Sequence, residues 1–164
     1  MAASIPGLPG NPSPNPIRLD ETDHVILREL ILDARIPNNT LAQRAGIAPS
    51  TCLGRVRALR EAGVIRGFHA VVDLEALGLI VFALISVRVH QSARNRMLEI
   101  AQRLKELPNV QSVFLLAGDK DFLIHVACRT PAELRNFIAE NLGADPAIAH
   151  TQTNLVFDHL VPGN

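Results

Sequence analysis

Between Leu41 and Ile65 the chain reads LAQRAGIAPSTCLGRVRALREAGVI. Arg44, Arg55, Arg57 and Arg60 supply four fixed cations there against the single carboxylate of Glu61, in a chain whose formal net charge is zero. Guanidinium groups suit phosphate oxygens, which they meet as planar, multidentate donors. Ser50 and Thr51 add hydroxyls beside them, a chemistry that serves phosphates and base edges alike. The charge around this stretch is segregated. Residues 20–33 hold five acids to one arginine, and residues 35–69 hold six arginines to one acid. Such a reversal between neighbouring segments makes a directed field. Other chemistry-bearing residues are scattered. The six histidines form no H-x-H or H-E-x-x-H, and Cys52 and Cys128 form no C-x-x-C, so neither a metal nor a cofactor is expected. Neither G-x-S-x-G nor a P-loop is present.

The elements that would carry the arginines follow from periodicity. Asp20 suits an N-cap, with Asp23 in the acidic first turn. Ile26, Leu27, Leu30, Ile31 and Ala34 recur at helical spacing, predicting a helix over roughly 20–34 that ends before Pro37. Asn39 or Thr40 would cap a short second helix, LAQRA, closed by Gly46. Pro49 suits the first turn of a third helix. On it Cys52, Val56 and Leu59 share a buried stripe, while Ser50, Gly54, Arg57 and Ala58 lie opposite, flanked by Thr51. Gly63 ends the helix, and VIRGFHAVVD is expected to form a strand pair turning near Gly67, a short wing.

Two helices joined by a tight glycine turn, the second polar and basic outward, make a helix-turn-helix. Ser50 and Thr51 then stand at the reading end of the recognition helix. Pro49 stiffens its start, and Gly54 lets backbone approach a groove. Arg55 and Arg57 are placed to reach guanine or phosphate, and Arg44, Arg60 and Arg66 to reach phosphates. The same arginines also suit a merely solvated helix face.

After residues 74–78, read as a linker, the pattern changes to β-α-β-β-α-β over 79–164: strands at Leu79–His90, Val110–Ala117, Phe122–Cys128 and Ile148–Leu160, and helices at Ala93–Leu107 and from Thr130–Pro131–Ala132–Glu133 to Gly143. This is the ferredoxin-like order, so the chain is expected to be α+β, a winged helix-turn-helix over 19–73 followed by a four-stranded unit. The first strand is apolar on both sides, Ile80, Phe82 and Leu84 against Val81, Ala83, Ile85 and Val87, which calls for cover on both sides and hence for a second subunit. Residues 1–18, with five of the eleven prolines, are expected to be a disordered or extended tail without the features of a signal peptide. No apolar run reaches the ~18–20 residues of a membrane span. Two distant cysteines suit the reducing cytoplasm.

The block LDETDHVILRELILDARIPNNTLAQRAGIAPSTCLGRVRALREAGVIRGFHAVVD, followed by LLAGDKDFLIHV, resembles the leucine-responsive/asparagine-type (Lrp/AsnC) feast–famine regulators over about 140 residues. Lys120 departs from the family pattern, which often has an aromatic or another residue there. The resemblance implies a regulator that binds double-stranded DNA, with a RAM-type regulatory domain that dimerises through its open sheet face and assembles further into tetramers or octamers. It also implies an amino-acid effector, at a site that maps by motif to Leu116, Ala117, Gly118, Asp119, Asp121 and Phe122, then Thr151, Gln152 and Thr153. A carboxylate there suits an α-amino group, and turn N–H groups and hydroxyls suit a carboxylate. Read without the family, GDKD is an ordinary hairpin turn and TQT an ordinary strand. Two alternatives share the layout: a haem-pathway decarboxylase, for which Arg88, His90, His125 and His150 on the open face would be the groups to watch, and an amino-acid-binding module that does not bind DNA.

Overall fold

In the computed structural model, which describes residues 18–158, the chain forms two compact units that divide between Ala70 and Val71. The first unit has three helices: α1 (Glu21–Leu32), α2 (Asn38–Arg44) and α3 (Pro49–Glu61). Asp20 caps α1 in a full capping box. Its Oδ1 accepts the Asp23 amide at 2.9 Å, and Asp23 Oδ2 accepts the Asp20 amide at 3.1 Å. The core gathers Ile26, Leu41, Ala42, Cys52 and Leu59, with Leu30, Ile47 and Val56 packed against it. Ile31, expected on the buried side, is 81 % exposed. At ~100° per residue it lies ~140° round from Ile26, beyond the stripe that Ile26 and Leu30 fill. The second helix starts at Asn38 rather than Leu41. Pro37 takes the N-cap position with no side-chain cap, so neither Asn39 nor Thr40 serves as one.

Gly46 closes α2 in the left-handed region at φ 66°. The Ile47 amide bonds Ala42 O at 3.0 Å and the Gly46 amide bonds Gln43 O at 3.2 Å, the paired bonds of a Schellman motif. Asn38 Nδ2 donates to Pro49 O at 2.9 Å, so the start of α2 also holds the start of α3. The expected strand pair does not form. Residues 66–73 take no regular secondary structure, and among the described residues their amides join no backbone ladder. A tight hairpin needs positive φ in its turn, and Gly67 is not among the residues that adopt it.

The second unit runs β1 (Val81–Val89), a 3₁₀ segment (Gln91–Arg96), α4 (Met97–Lys105), β2 (Val110–Leu115), β3 (Phe122–Cys128), α5 (Pro131–Phe137) continuing as π-helix over Ile138–Gly143, and β4 (Ile148–Val156). The sheet order is β2-β3-β1-β4, antiparallel throughout, the ferredoxin-like arrangement expected. The differences lie at the ends of elements. The helix expected from Ala93 is 3₁₀ up to Arg96, and the one expected to reach Gly143 unwinds into π geometry after Phe137. The last strand stops at Val156; Leu160 lies outside the described residues, as does nearly all of the proline-rich segment. Thr130 Oγ1 caps the Glu133 amide at 3.1 Å, but the Glu133 carboxylate reaches Arg129 N at 2.7 Å instead of closing the box on Thr130.

One sheet face carries the core: Ala83, Ile85, Val87, Phe122, Ile124, Val126 and Cys128 meet Ile100 and Leu104 of α4 and Leu134 and Phe137 of α5. The register places Phe82, Leu84, Phe114 and Leu123 on the other face, half-buried, where neither helix packs.

Candidate functional site

Helix α3 starts at Pro49 in its N1 position and shows Ser50, Thr51, Gly54, Arg57 and Arg60 to solvent, while Cys52 and Leu59 are buried at 0 % and 3 % exposure. Gly54 faces open space; a Cβ there would meet no heavy atom within 4 Å beyond its chain neighbours and the backbone of its own helix. Packing within the described chain therefore does not require a glycine at this mid-helix position. Arg57, Arg60 and Arg66 make no hydrogen bond or ion pair among the described residues and stand exposed.

Arg55 behaves differently. Its Nη1 lies 2.7 Å from Asp20 Oδ2 and 2.9 Å from Asp23 Oδ1, so it holds the capping box of α1 rather than facing outward. The Asp23 amide, then Arg55, hold the Asp20 carboxyl below its ordinary value, and hydrogen bonds to Asp23 and Asp20 raise the Arg55 guanidinium. Arg44 is likewise paired, with Glu29 on α1. The acidic and basic segments thus neutralise each other in part within this unit, and among the described residues Arg57, Arg60 and Arg66 remain without a partner on or beyond α3. A sequence signal for Arg55 existed: at ~100° per residue it sits only ~60° from Cys52, toward the packed side.

The effector residues expected around 116–122 divide into two sets. Leu116, Ala117, Gly118 and Asp119 are exposed, with Gly118 at φ 143°. Asp119 lies 3.2 Å from Lys120 Nζ and 3.9 Å from Arg88 Nη1, and Lys120 first, then Arg88, hold its carboxyl down. Asp121 and Phe122 are buried at 7 % and 0 %. Asp121 accepts the Val89 amide at 2.8 Å and lies 3.4 Å from Arg94, so both of its oxygens are engaged, one by the end of β1 and one by the 3₁₀ segment. Across the sheet, Phe122 and Thr151 flank Val87 in one row. Along β4 the register alternates: Thr151 and Thr153 pair with Val87 and Ile85 on the helix side, and Gln152 pairs with Ser86 on the open side. These three side chains therefore do not share one face of the sheet. His125 stacks near Phe82, 6.3 Å between ring centres, and among the described residues no three His, Cys, Asp or Glu side chains are grouped to hold a metal ion.

Comparison with known proteins places this geometry. Residues 19–66 match the family described as winged helix-turn-helix DNA-binding, and residues 82–164 match the Lrp/AsnC ligand binding domain. The chain belongs to the Lrp/AsnC family of transcriptional regulators. It is 48% identical over 161 residues to the HTH-type transcriptional regulator AldR of Mycolicibacterium smegmatis, covering 96% of this chain and 94% of that one. It is 50% identical over 145 residues to AldR of Mycobacterium tuberculosis, covering 88% and 81%. The crystal structure of MtbAldR superposes with a TM-score of 0.82 at 45% identity over 92% of this chain and 99% of that chain. A transcriptional regulator of Neisseria meningitidis in complex with L-Met superposes with a TM-score of 0.79 at 28% identity over 88% and 93%. This family member is a regulator with a helix-turn-helix and a ligand-binding domain, and not an enzyme. Among its described residues no helix is long and apolar enough to cross a membrane.

Proposed function

We propose that this regulator binds DNA sequence-specifically and that an amino acid or related small metabolite changes its assembly and its DNA affinity. The observation that carries the reading is the outward side of α3: two hydroxyls, a bare glycine and Arg57, unpaired among the described residues, on a helix that follows the Schellman turn. Such a surface suits a major groove, with Ser50 and Thr51 toward base edges and Arg57, Arg60 and Arg66 toward phosphates. Arg44 joins them only by exchanging Glu29 for phosphate.

The half-buried apolar side of the sheet, bearing Phe82, Leu84, Phe114 and Leu123, supports a homodimer built over that side, with tetramers or octamers above it. A dimer presents two recognition helices to successive grooves, so the operator is expected to be palindromic. For the effector, the exposed Leu116–Asp119 turn and the Thr151, Gln152 and Thr153 edge are the proposed contacts, with Asp121 and Phe122 shaping the turn from within. The neighbour in complex with L-Met supports an amino acid as the class. The effector acts through differential affinity for two assemblies. Two reduced thiols are consistent with work in the cytoplasm.

Footprinting on genomic fragments, with and without each amino acid and across salt, tests the reading. Protected palindromic sites, affinity falling steeply between low and moderate salt, and a shift with one amino acid support it. Uniform protection with a flat salt response would overturn it.

A further inference from the structure

The four carboxylate oxygens of Asp20 and Asp23 are divided without overlap. Asp20 gives Oδ1 to the Asp23 amide and Oδ2 to Arg55; Asp23 gives Oδ2 to the Asp20 amide and Oδ1 to Arg55. The capping box therefore forms a two-carboxylate cradle within α1 itself, and one guanidinium nitrogen from α3 closes it. Among the described residues the other packing between α1 and α3 is apolar, through Ile26, Cys52 and Leu59, and the Asn38–Pro49 hydrogen bond ties only the first residue of α3, to α2. Apolar packing is not directional, and Cys52 is small. Charge-assisted hydrogen bonds are directional. Arg55 follows Gly54 directly and lies one turn after Ser50 and Thr51, so whatever sets its position sets the rotation of the reading surface.

Resting on the DNA-binding reading above, we propose that Arg55 is a positioning residue. It locks the rotation of α3 about its own axis against the α1 cap, so that Ser50, Thr51, Gly54 and Arg57 face the groove, and it does not itself touch DNA. Asp20 and Asp23, although anionic, then favour DNA binding.

The test measures affinity of the full chain for a footprinted site across a salt series. For Arg55→Met the expected result is a loss of roughly ten- to hundredfold, the equivalent of a displaced base contact, with the slope of log affinity against log salt unchanged. Asp23→Asn is expected to lose affinity too, although it removes a negative charge, and the double variant to be no worse than Arg55→Met alone. Arg57→Met, by contrast, lowers the slope by about one. A slope reduced by about one in Arg55→Met, with Asp23→Asn binding as well as or better than the parent, overturns the proposal. Where Arg55→Met fails to fold, Arg55→Gln, which keeps a neutral donor, replaces it. A parent chain that binds no genomic fragment sinks the DNA-binding reading instead. The positioning claim is then judged on the free protein, where residual dipolar couplings of α1 and α3 must show a changed helix orientation in Arg55→Met; unchanged couplings overturn it.

Discussion

The Asp121 carboxylate accepts the Val89 amide at 2.8 Å and pins the β2–β3 turn to the end of β1. The Asp121 amide adds a second tie, to Val87 O at 3.0 Å. The residue is 7 % exposed, so water does not replace its carboxylate when it is removed. Asp121→Ala is expected to destabilise the second unit by about 1–3 kcal/mol, the cost of a buried donor left without a partner. Asp121→Asn, which keeps an acceptor, should cost less. Denaturant melts followed by circular dichroism check this, since the chain has no Trp or Tyr to report by fluorescence. Equal melts for all three proteins would remove the pin.

Gly54 separates stability from function. It sits in mid-helix with open space beside it. Gly54→Ala should stabilise the first unit by about 1 kcal/mol through helix propensity alone. The same methyl group projects into the space proposed for the groove, so DNA affinity should fall. A variant that melts later and binds equally well would show that DNA does not approach this backbone.

Acid should loosen the first unit in a defined window. The Asp20 carboxyl is held below its ordinary value by the Asp23 amide and then by Arg55. A carboxylate with a depressed folded-state value stabilises above its unfolded value, about 4, and loses that contribution as pH falls through the folded one. Stability should therefore hold from neutrality to about pH 5 and decline below about 4. Asp20→Asn should start lower and flatten the decline. Amide signals of α1 followed through a pH titration report the outcome, and identical acid profiles for parent and variant would contradict it.

Both cysteines should be inert in the folded protein. Burial raises the Cys52 thiol, and burial, then the Glu133 charge, push Cys128 up to about 11. Reactivity follows the thiolate, and both side chains are fully buried. A thiol-specific reagent near neutral pH should label neither residue until denaturant is added. Stoichiometric labelling of the native chain would mean that one of the two cores opens readily.

Much of the fold was legible because it is encoded over a few residues. Asp20 with Asp23, Gly46 closing α2, Pro49 at N1 of α3 and the alternation of Phe122–Cys128 each reflect local sterics or a local hydrogen bond. Errors arose where periodicity outran burial. Ile31 repeats Leu27 at a spacing of four, yet the small three-helix core closes over the Ile26 and Leu30 side and leaves it exposed. The strand pair expected within the wing does not form, because an isolated two-stranded hairpin is marginal without a further strand or helix to pack on.

The candidate site divides the same way. The outward set Ser50, Thr51, Gly54 and Arg57 follows from helical angle and a buried stripe, quantities that thirteen consecutive residues contain. The sequence by itself therefore determined two units, their class and the outward side of α3. Only the tertiary structure decided what Arg55, Asp121 and Gln152 do. A guanidinium on a long side chain pairs with whichever carboxylate folding brings near, and Asp20 is thirty-five positions away from Arg55. The register of β4 against β1, not the order of residues in TQT, turns Gln152 away from its two neighbours. Short-range sterics are written in adjacent residues, whereas long-range partners exist only once the chain has closed on itself.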